Sequence, residues 1–100
     1  MKKTFPLTHP KHEPARVLEK VKHEVRKYLK RERRKELPDD ADYWAFDCQV
    51  GRDGPQRQLE VMELTAAIDE AGAEGWEAVY VEILAKPAKR QPREEPEQTT

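Results

Sequence analysis

The chain has 100 residues, of which 39% are charged and 36% hydrophobic, so it has room for one modest core in a single domain. No run approaches the roughly 18 apolar residues of a membrane-spanning helix, and Cys48 has no second cysteine with which to form a disulfide. The segment Met1–Thr4 lacks the apolar core of a secretory signal, so we expect a cytoplasmic protein with no membrane partner.

The formal net charge of -1 conceals an uneven distribution along the chain. Residues 1–37 hold 13 Lys and Arg against 5 Asp and Glu, which is a net charge of +8. Residues 38–100 hold 6 and 15, which is a net charge of -9. Such a division indicates either an anionic partner for the amino-terminal half or attraction between the two halves.

The first half of the chain predicts a strand followed by a long helix. Residues 2–7 predict a short strand, which Pro6 restricts to a sheet edge or a strand end. Residues 14–36 predict a helix, because apolar side chains recur at helical spacing over residues 17–29 and Pro38 disfavours helix just before it. The apolar stripe stops at residue 29, so the last turn and a half is expected to project as a charged prong or to fray.

The second half predicts a hairpin, a shorter helix and a final strand. Strands over residues 43–50 and 56–61 flank an Asp-Gly turn at Asp53. A helix is predicted over residues 63–71 and a strand over residues 76–85. The apolar positions of that helix are Leu64, Ala67, Ile68 and Ala71.

This order of elements predicts an α+β protein with the βαββαβ pattern of a ferredoxin-like sandwich. In that fold a four-stranded antiparallel sheet carries two helices on one face, and here the first helix is long and basic. A smaller sheet, with residues 2–7 as a mere extension, is the alternative. The single domain is predicted over residues 1–86, and residues 87–100, in which proline alternates with charge, are expected to be a disordered tail.

Two resemblances to known families are visible in these segments. Residues 1–8, 23–35 and 76–87 resemble a family of short bacterial proteins that is catalogued only as a domain of unknown function. This resemblance covers nearly the whole chain except the tail, and it implies a cytoplasmic bacterial protein without an assigned activity. Residues 71–77, Ala-Gly-Ala-Glu-Gly-Trp-Glu, resemble a second small uncharacterised domain in which a helix ends at glycine and Gly-Trp begins a strand.

Residues with catalytic or metal-binding chemistry are sparse. His9 and His12 lie in a loop far from His23 and Cys48, so they do not supply the four ligands of a zinc site, and no metal or cofactor is expected. Alternation within its strand places Cys48 beside apolar residues, which predicts a buried, inert thiol. No nucleophile-and-base pattern and no phosphate-binding glycine loop is present, so we expect a binding or accessory protein rather than an enzyme.

The polar side of the first helix is the strongest functional signal. It carries six like-charged i,i+4 pairs, each of which costs a few tenths of a kcal/mol in an isolated helix. The pairs are Arg16/Lys20, Lys22/Arg26, Arg26/Lys30, Lys27/Arg31, Lys30/Arg34 and Arg31/Lys35. A solvated face is the simplest interpretation of such a surface.

Two partners are the alternatives to a solvated face. The first is the phosphate backbone of RNA or DNA, with RNA as the leading candidate and no reading of sequence. The second is an acidic protein surface, including another copy of this chain. The residues predicted to contact nucleic acid are Lys20, Lys27, Lys30, Arg31, Arg33 and Arg34.

Overall fold

A computed structural model describes residues 1–90 of the protein. Its elements in chain order are β1 (Lys2–Pro6), α1 (Pro14–Arg33), β2 (Tyr43–Gly51), β3 (Arg57–Leu59), a 3-10 turn (Val61–Glu63), α2 (Leu64–Ala73) and β4 (Ala78–Ala88). The strands form one antiparallel sheet in the order β1-β4-β2-β3. The α+β class, the four-stranded sheet and the two helices are as predicted. Within residues 1–90, no helix has both the length and the apolar character needed to cross a membrane.

The strand order places the two shortest strands at the edges. Helix α1 connects β1 to β2 across β4, and α2 connects β3 to β4 across β2, so both halves are split βαβ units. The order differs from the usual ferredoxin-like one, in which the first strand is central. Strand β1 contains Pro6, which has no backbone donor and therefore suits an edge. Strand β4 has 11 residues and β2 has 9, so they share the long central ladder.

The core lies between one face of the sheet and both helices. Val79, Val81 and Ile83 of β4 alternate on that face, and each is fully buried. Val25 of α1 and Ile68 of α2 are fully buried against the same cluster. The predicted apolar positions of α2 are all buried, which confirms the helical spacing: Leu64, Ala67, Ile68 and Ala71.

The predicted prong at the end of α1 is wrong. The helix ends at Arg33 rather than Glu36, and its end is attached to β2. Glu32 occupies the stripe position after Leu29 and is only 7% exposed. Its carboxylate forms an ion pair with the Nζ of Lys35 at 2.9 Å. The indole Nε1 of Trp44 donates to the carbonyl oxygen of Lys35 at 2.9 Å. A buried carboxylate is tolerated here because it is paired, which the apolar pattern could not indicate.

The second predicted strand of the hairpin is also shorter than expected. It ends at Leu59, because the Glu60 backbone N–H donates to the Glu63 carboxylate at 2.9 Å and the reciprocal bond completes a capping box. This box starts the 3-10 turn that leads into α2. Leu59 and Val61 nevertheless pack against the core.

The carboxyl end of the described chain continues the sheet beyond the predicted domain end at residue 86. Strand β4 runs through Pro87 to Ala88, whose carbonyl oxygen accepts from the Asp42 backbone N–H at 2.8 Å. Residues 91–100 of the predicted tail lie outside the described residues, so their disorder stays a prediction.

The hairpin turn between β2 and β3 depends on close backbone packing at Gly51. This residue is buried, and a Cβ atom there would overlap the carbonyl oxygen of Gly54. A Cβ on Gly54 itself would meet nothing within 4 Å.

We expect Gly51→Ala to lower the free energy of unfolding by about 1–3 kcal/mol, because the new methyl group can be accommodated only by moving backbone. Gly54→Ala is the control in the same loop and should change stability by no more than about 0.5 kcal/mol. Urea unfolding of both variants measures the difference, and equal losses of stability would contradict this account of the turn.

Candidate nucleic-acid interface

Five of the six predicted site residues line one groove on the outer flank of α1. The groove has a volume of about 760 Å³, and its wall also contains Met1, His23, Glu24 and Tyr28. We call it the basic groove. Its cationic side chains are all exposed: Lys20, Lys27, Lys30, Arg31 and Arg34. Their convergence follows from the helical repeat, which places residues three, four and seven apart on one side.

Contacts with the start of the chain hold the wall of the basic groove. The Met1 ammonium group donates to the Tyr28 hydroxyl at 3.1 Å and to the Ile83 carbonyl oxygen at 2.7 Å. The Arg31 guanidinium lies 5.4 Å from the centroid of the Tyr28 ring, which is within cation–π range. Tyr28 therefore contacts one positive charge through its hydroxyl group and a second through its ring.

Most of the positive charge of the basic groove is not paired with a carboxylate. Within residues 1–90, no carboxylate oxygen lies within 4.0 Å of the cationic groups of Lys20, Lys27, Lys30 or Arg34. The acidic wall residue, Glu24, is engaged at 3.4 Å by Lys3 of β1. Like charges on one helix face repel, so this surface favours an anionic partner.

Three of the six predicted like-charge pairs contain a cation that forms an ion pair in the structure. Lys22 pairs with Glu19 and Asp69, Lys35 pairs with Glu32, and the Arg31 Nε lies 3.9 Å from the Glu32 carboxylate. In the other three pairs neither cation has an ion pair within the described residues: Arg16/Lys20, Arg26/Lys30 and Lys30/Arg34.

Arg33 is the predicted site residue that the structure separates from the others. Its guanidinium lies 5.3 Å from the centroid of the Phe46 ring, so it contacts β2 rather than the basic groove. Arg33 therefore helps to attach the end of α1 to the sheet, together with Trp44.

Lys22 joins the basic helix to the acidic half of the chain, a contact that the sequence analysis missed. It is 8% exposed, and its Nζ lies 2.8 Å from Glu19 and 2.8 Å from Asp69 of α2. The hydrogen bond to Asp69, followed by that to Glu19, raises the pKa of Lys22 above its usual value of 10.5. The i,i+3 spacing of Glu19 and Lys22 was visible in the sequence, but the approach of Asp69 depends on tertiary packing.

The flank of the helix layer formed by α2 has the opposite charge. Residues 60–77 contain six Asp and Glu and no Lys or Arg. A smaller cavity of about 300 Å³ on this side is lined by Glu70 and Glu74, and also by Arg57, whose guanidinium pairs with Glu70 at 3.3 Å. The two acidic residues of α2 itself, Asp69 and Glu70, are paired with Lys22 and Arg57, so the exposed acidic side chains of this flank are those beside the helix, such as Glu74 and Glu77.

The two loop histidines lie at a second groove, between β1 and the first half of α1. Their ring centroids are 4.5 Å apart with a tilt of 34°, and the His12 backbone N–H donates to the His9 carbonyl oxygen at 3.3 Å. The groove has a volume of about 550 Å³ and also contains Phe5, Val17 and Arg16. We call it the histidine cleft. Among the described residues, no three His, Cys, Asp or Glu side chains are grouped so as to hold a metal ion.

The predicted burial of Cys48 is confirmed. The residue is fully buried in the middle of β2, and burial, followed by the charges of Asp47 and Glu60, raises the pKa of the Cys48 thiol to about 11. A thiol with a raised pKa is protonated at neutral pH, and the thiolate is the reactive form.

We expect Cys48 in the folded protein to react with a thiol reagent at least about tenfold more slowly than in the unfolded chain at pH 8, because access and ionisation are both reduced. The pKa of Cys48 in the folded protein is raised above the ordinary value of 9.0, so the stability of the protein depends on the ionisation of this thiol. The contribution of the neutral Cys48 thiol to stability is complete below pH 9 and is lost as the pH rises toward 11. Stopped-flow labelling with and without denaturant tests the first point, and equal rates would contradict it. Urea unfolding of wild type and Cys48→Ala from pH 7 to 10 tests the second.

The fold and the surface define a small α+β protein whose helix layer is basic on one flank and acidic on the other. The chain matches the model described as Family of unknown function (DUF6172) over residues 1–94, and it belongs to that family. This result agrees with the resemblance seen in its sequence. No curated protein and no solved structure matches the chain.

Proposed function

We propose that this protein is a small, non-catalytic cytoplasmic protein whose basic groove binds the phosphate backbone of nucleic acid, with RNA as the leading candidate. The observation that carries the proposal is the group of four groove cations that have no carboxylate within 4.0 Å among residues 1–90. Clustered Lys and Arg on one helix face are the usual footprint of phosphate binding.

The surroundings of the groove favour weak binding in a restricted orientation. The exposed carboxylates that follow α2, Glu74 and Glu77, repel phosphate, which favours contact with the outer side of α1. Lys and Arg contacts to phosphate position a nucleic acid without reading its bases. The affinity should therefore be low, largely independent of sequence and strongly dependent on salt, because binding releases counterions.

We expect the triple variant Lys27→Gln/Lys30→Gln/Arg34→Gln to weaken binding to single-stranded RNA at low salt. It should also lower the magnitude of the slope of log K against log salt by about 2, since about 0.7 counterion is released per phosphate contact on a single strand. Fluorescence anisotropy of a labelled oligonucleotide at several salt concentrations measures both quantities.

The matched control removes the same charge from other surfaces. Lys2→Gln/Lys86→Gln/Lys89→Gln replaces three exposed lysines outside the basic groove. It should reduce binding and the salt slope much less than the groove variant does. Equal effects of the two variants would assign binding to net charge alone, and no binding of RNA or DNA at low salt would refute the proposal.

A second candidate function is docking of the basic groove on an acidic protein surface, such as α2 of another copy. The observation that favours it is the adjacent acidic flank, where Glu74 and Glu77 are exposed. In this case the protein self-associates at low salt without nucleic acid. Sedimentation equilibrium should then show dissociation in both the groove variant and Glu74→Gln/Glu77→Gln, whereas a monomer at all concentrations excludes self-docking.

A further inference from the structure

The histidine cleft differs in chemistry from the basic groove beside it. Its floor includes two buried apolar side chains, Phe5 at 2% and Val21 at 4% exposure, and the half-buried Val17 forms part of its wall. The exposed rings of His9 and His12 stand at its mouth. Seven of the eleven residues that line the cleft are polar or charged, and its volume of about 550 Å³ is in the usual range for a small-molecule site.

The cleft and the basic groove form one continuous surface. Lys20 and Glu24 line both of them, and Glu24 is occupied by its ion pair with Lys3. A polyanion lying along Lys27 and Lys30 would therefore reach the mouth of the cleft as it passes Lys20. A polyanion bound in the basic groove would thus already lie next to His9 and His12.

The rim of the cleft carries positive charge that helix stability does not explain. Arg16 lies in the first turn of α1, near the positive end of the helix dipole, and that turn contains no acidic residue. Cations are unfavourable at a helix amino terminus. Arg16 also faces Lys20 one turn later, so the pair is suited to an anion beside the cleft.

We propose that the histidine cleft receives an unpaired nucleobase, so that the partner of this protein is single-stranded rather than duplex nucleic acid. This inference rests on the proposed function of the basic groove. Phosphates flanking the base would contact Arg16 and Lys20, and the base would lie against the histidine rings and the apolar floor. Bases of single strands stack on aromatic side chains, including histidine, whereas bases in a duplex are already stacked and paired.

The test compares two oligonucleotides of the same length and charge. One is a single strand of about 12 nucleotides, within the usual size of single-strand sites, and the other has the same backbone with abasic residues at every position. The wild-type protein should bind the base-bearing strand at least about fivefold more tightly, the lower end of base–aromatic stacking. Because a duplex has a higher charge density than a single strand, its binding is compared between wild type and the histidine variant below, and the two should bind it equally.

The variant His9→Ala/His12→Ala should reduce that ratio to near one and leave the salt slope unchanged. Its matched control is Met62→Ala/Gln58→Ala, which removes an 83% exposed apolar side chain and an exposed polar one outside both grooves. This control should keep the ratio of the wild type. Amide spectra establish that each variant is folded, and the His9 and His12 ring protons should shift with the base-bearing strand only.

The outcomes separate this inference from the proposal on which it rests. Equal, salt-dependent binding of the two strands by wild type would overturn the base site and leave the backbone interface standing. Retention of the ratio in the folded histidine variant would also overturn it. Failure of every oligonucleotide to bind at low salt would overturn both.

Discussion

The burial of one face of β4 determines how the rest of the molecule is arranged. Val79, Val81 and Ile83 are fully buried, and the strand pairs with β1 on one side and β2 on the other. Burying each such side chain contributes about 1.5–3 kcal/mol, so both helices are required over this face. Helix α1 covers it with an apolar stripe that includes Val25 and Leu29. Its opposite side, with the cations of the basic groove, is consequently directed to solvent.

The position of β1 at the sheet edge explains why two grooves occur on the same flank of α1. An edge strand has a neighbour on one side only, so the flank of the helix above it stays open. The start of the chain reaches this flank, where the Met1 ammonium group contacts Tyr28 and Lys3 contacts Glu24. Further along β1, Phe5 packs into the core below the histidine cleft. The grooves are thus produced by the topology and not by a separate loop or insertion.

Local patterns were sufficient to predict most elements, but not the features that depend on contacts between distant residues. The alternation in β4 and the helical spacing in α2 are direct consequences of burial on one face, so the sequence displays them. The end of α1 was predicted wrongly because Glu32 interrupts the stripe and is still buried, through its pairing with Lys35. The separation of Arg33 from the other predicted site residues depends on Phe46, and the histidine cleft depends on β1 lying beside α1. Neither the contact between Arg33 and Phe46 nor the position of β1 beside α1 can be predicted from hydrophobic periodicity.

The energetics of α1 give a separate reason to regard its outer flank as a binding surface. Three like-charge pairs persist without an ion-pair partner in the described structure, and together they cost about 0.6–1.5 kcal/mol, against a typical total stability of about 5–15 kcal/mol. Favourable interaction with the helix dipole offsets part of this cost for the basic residues of the last turn, Lys30, Arg31 and Arg33. It cannot do so for Arg16 and Lys20, because they lie in the first two turns of the helix. Their side chains are exposed and no core contact requires them to be basic, so folding alone does not account for their charge. An anion at the junction of the two grooves does account for it, because it would convert the repulsion between Arg16 and Lys20 into a shared attraction.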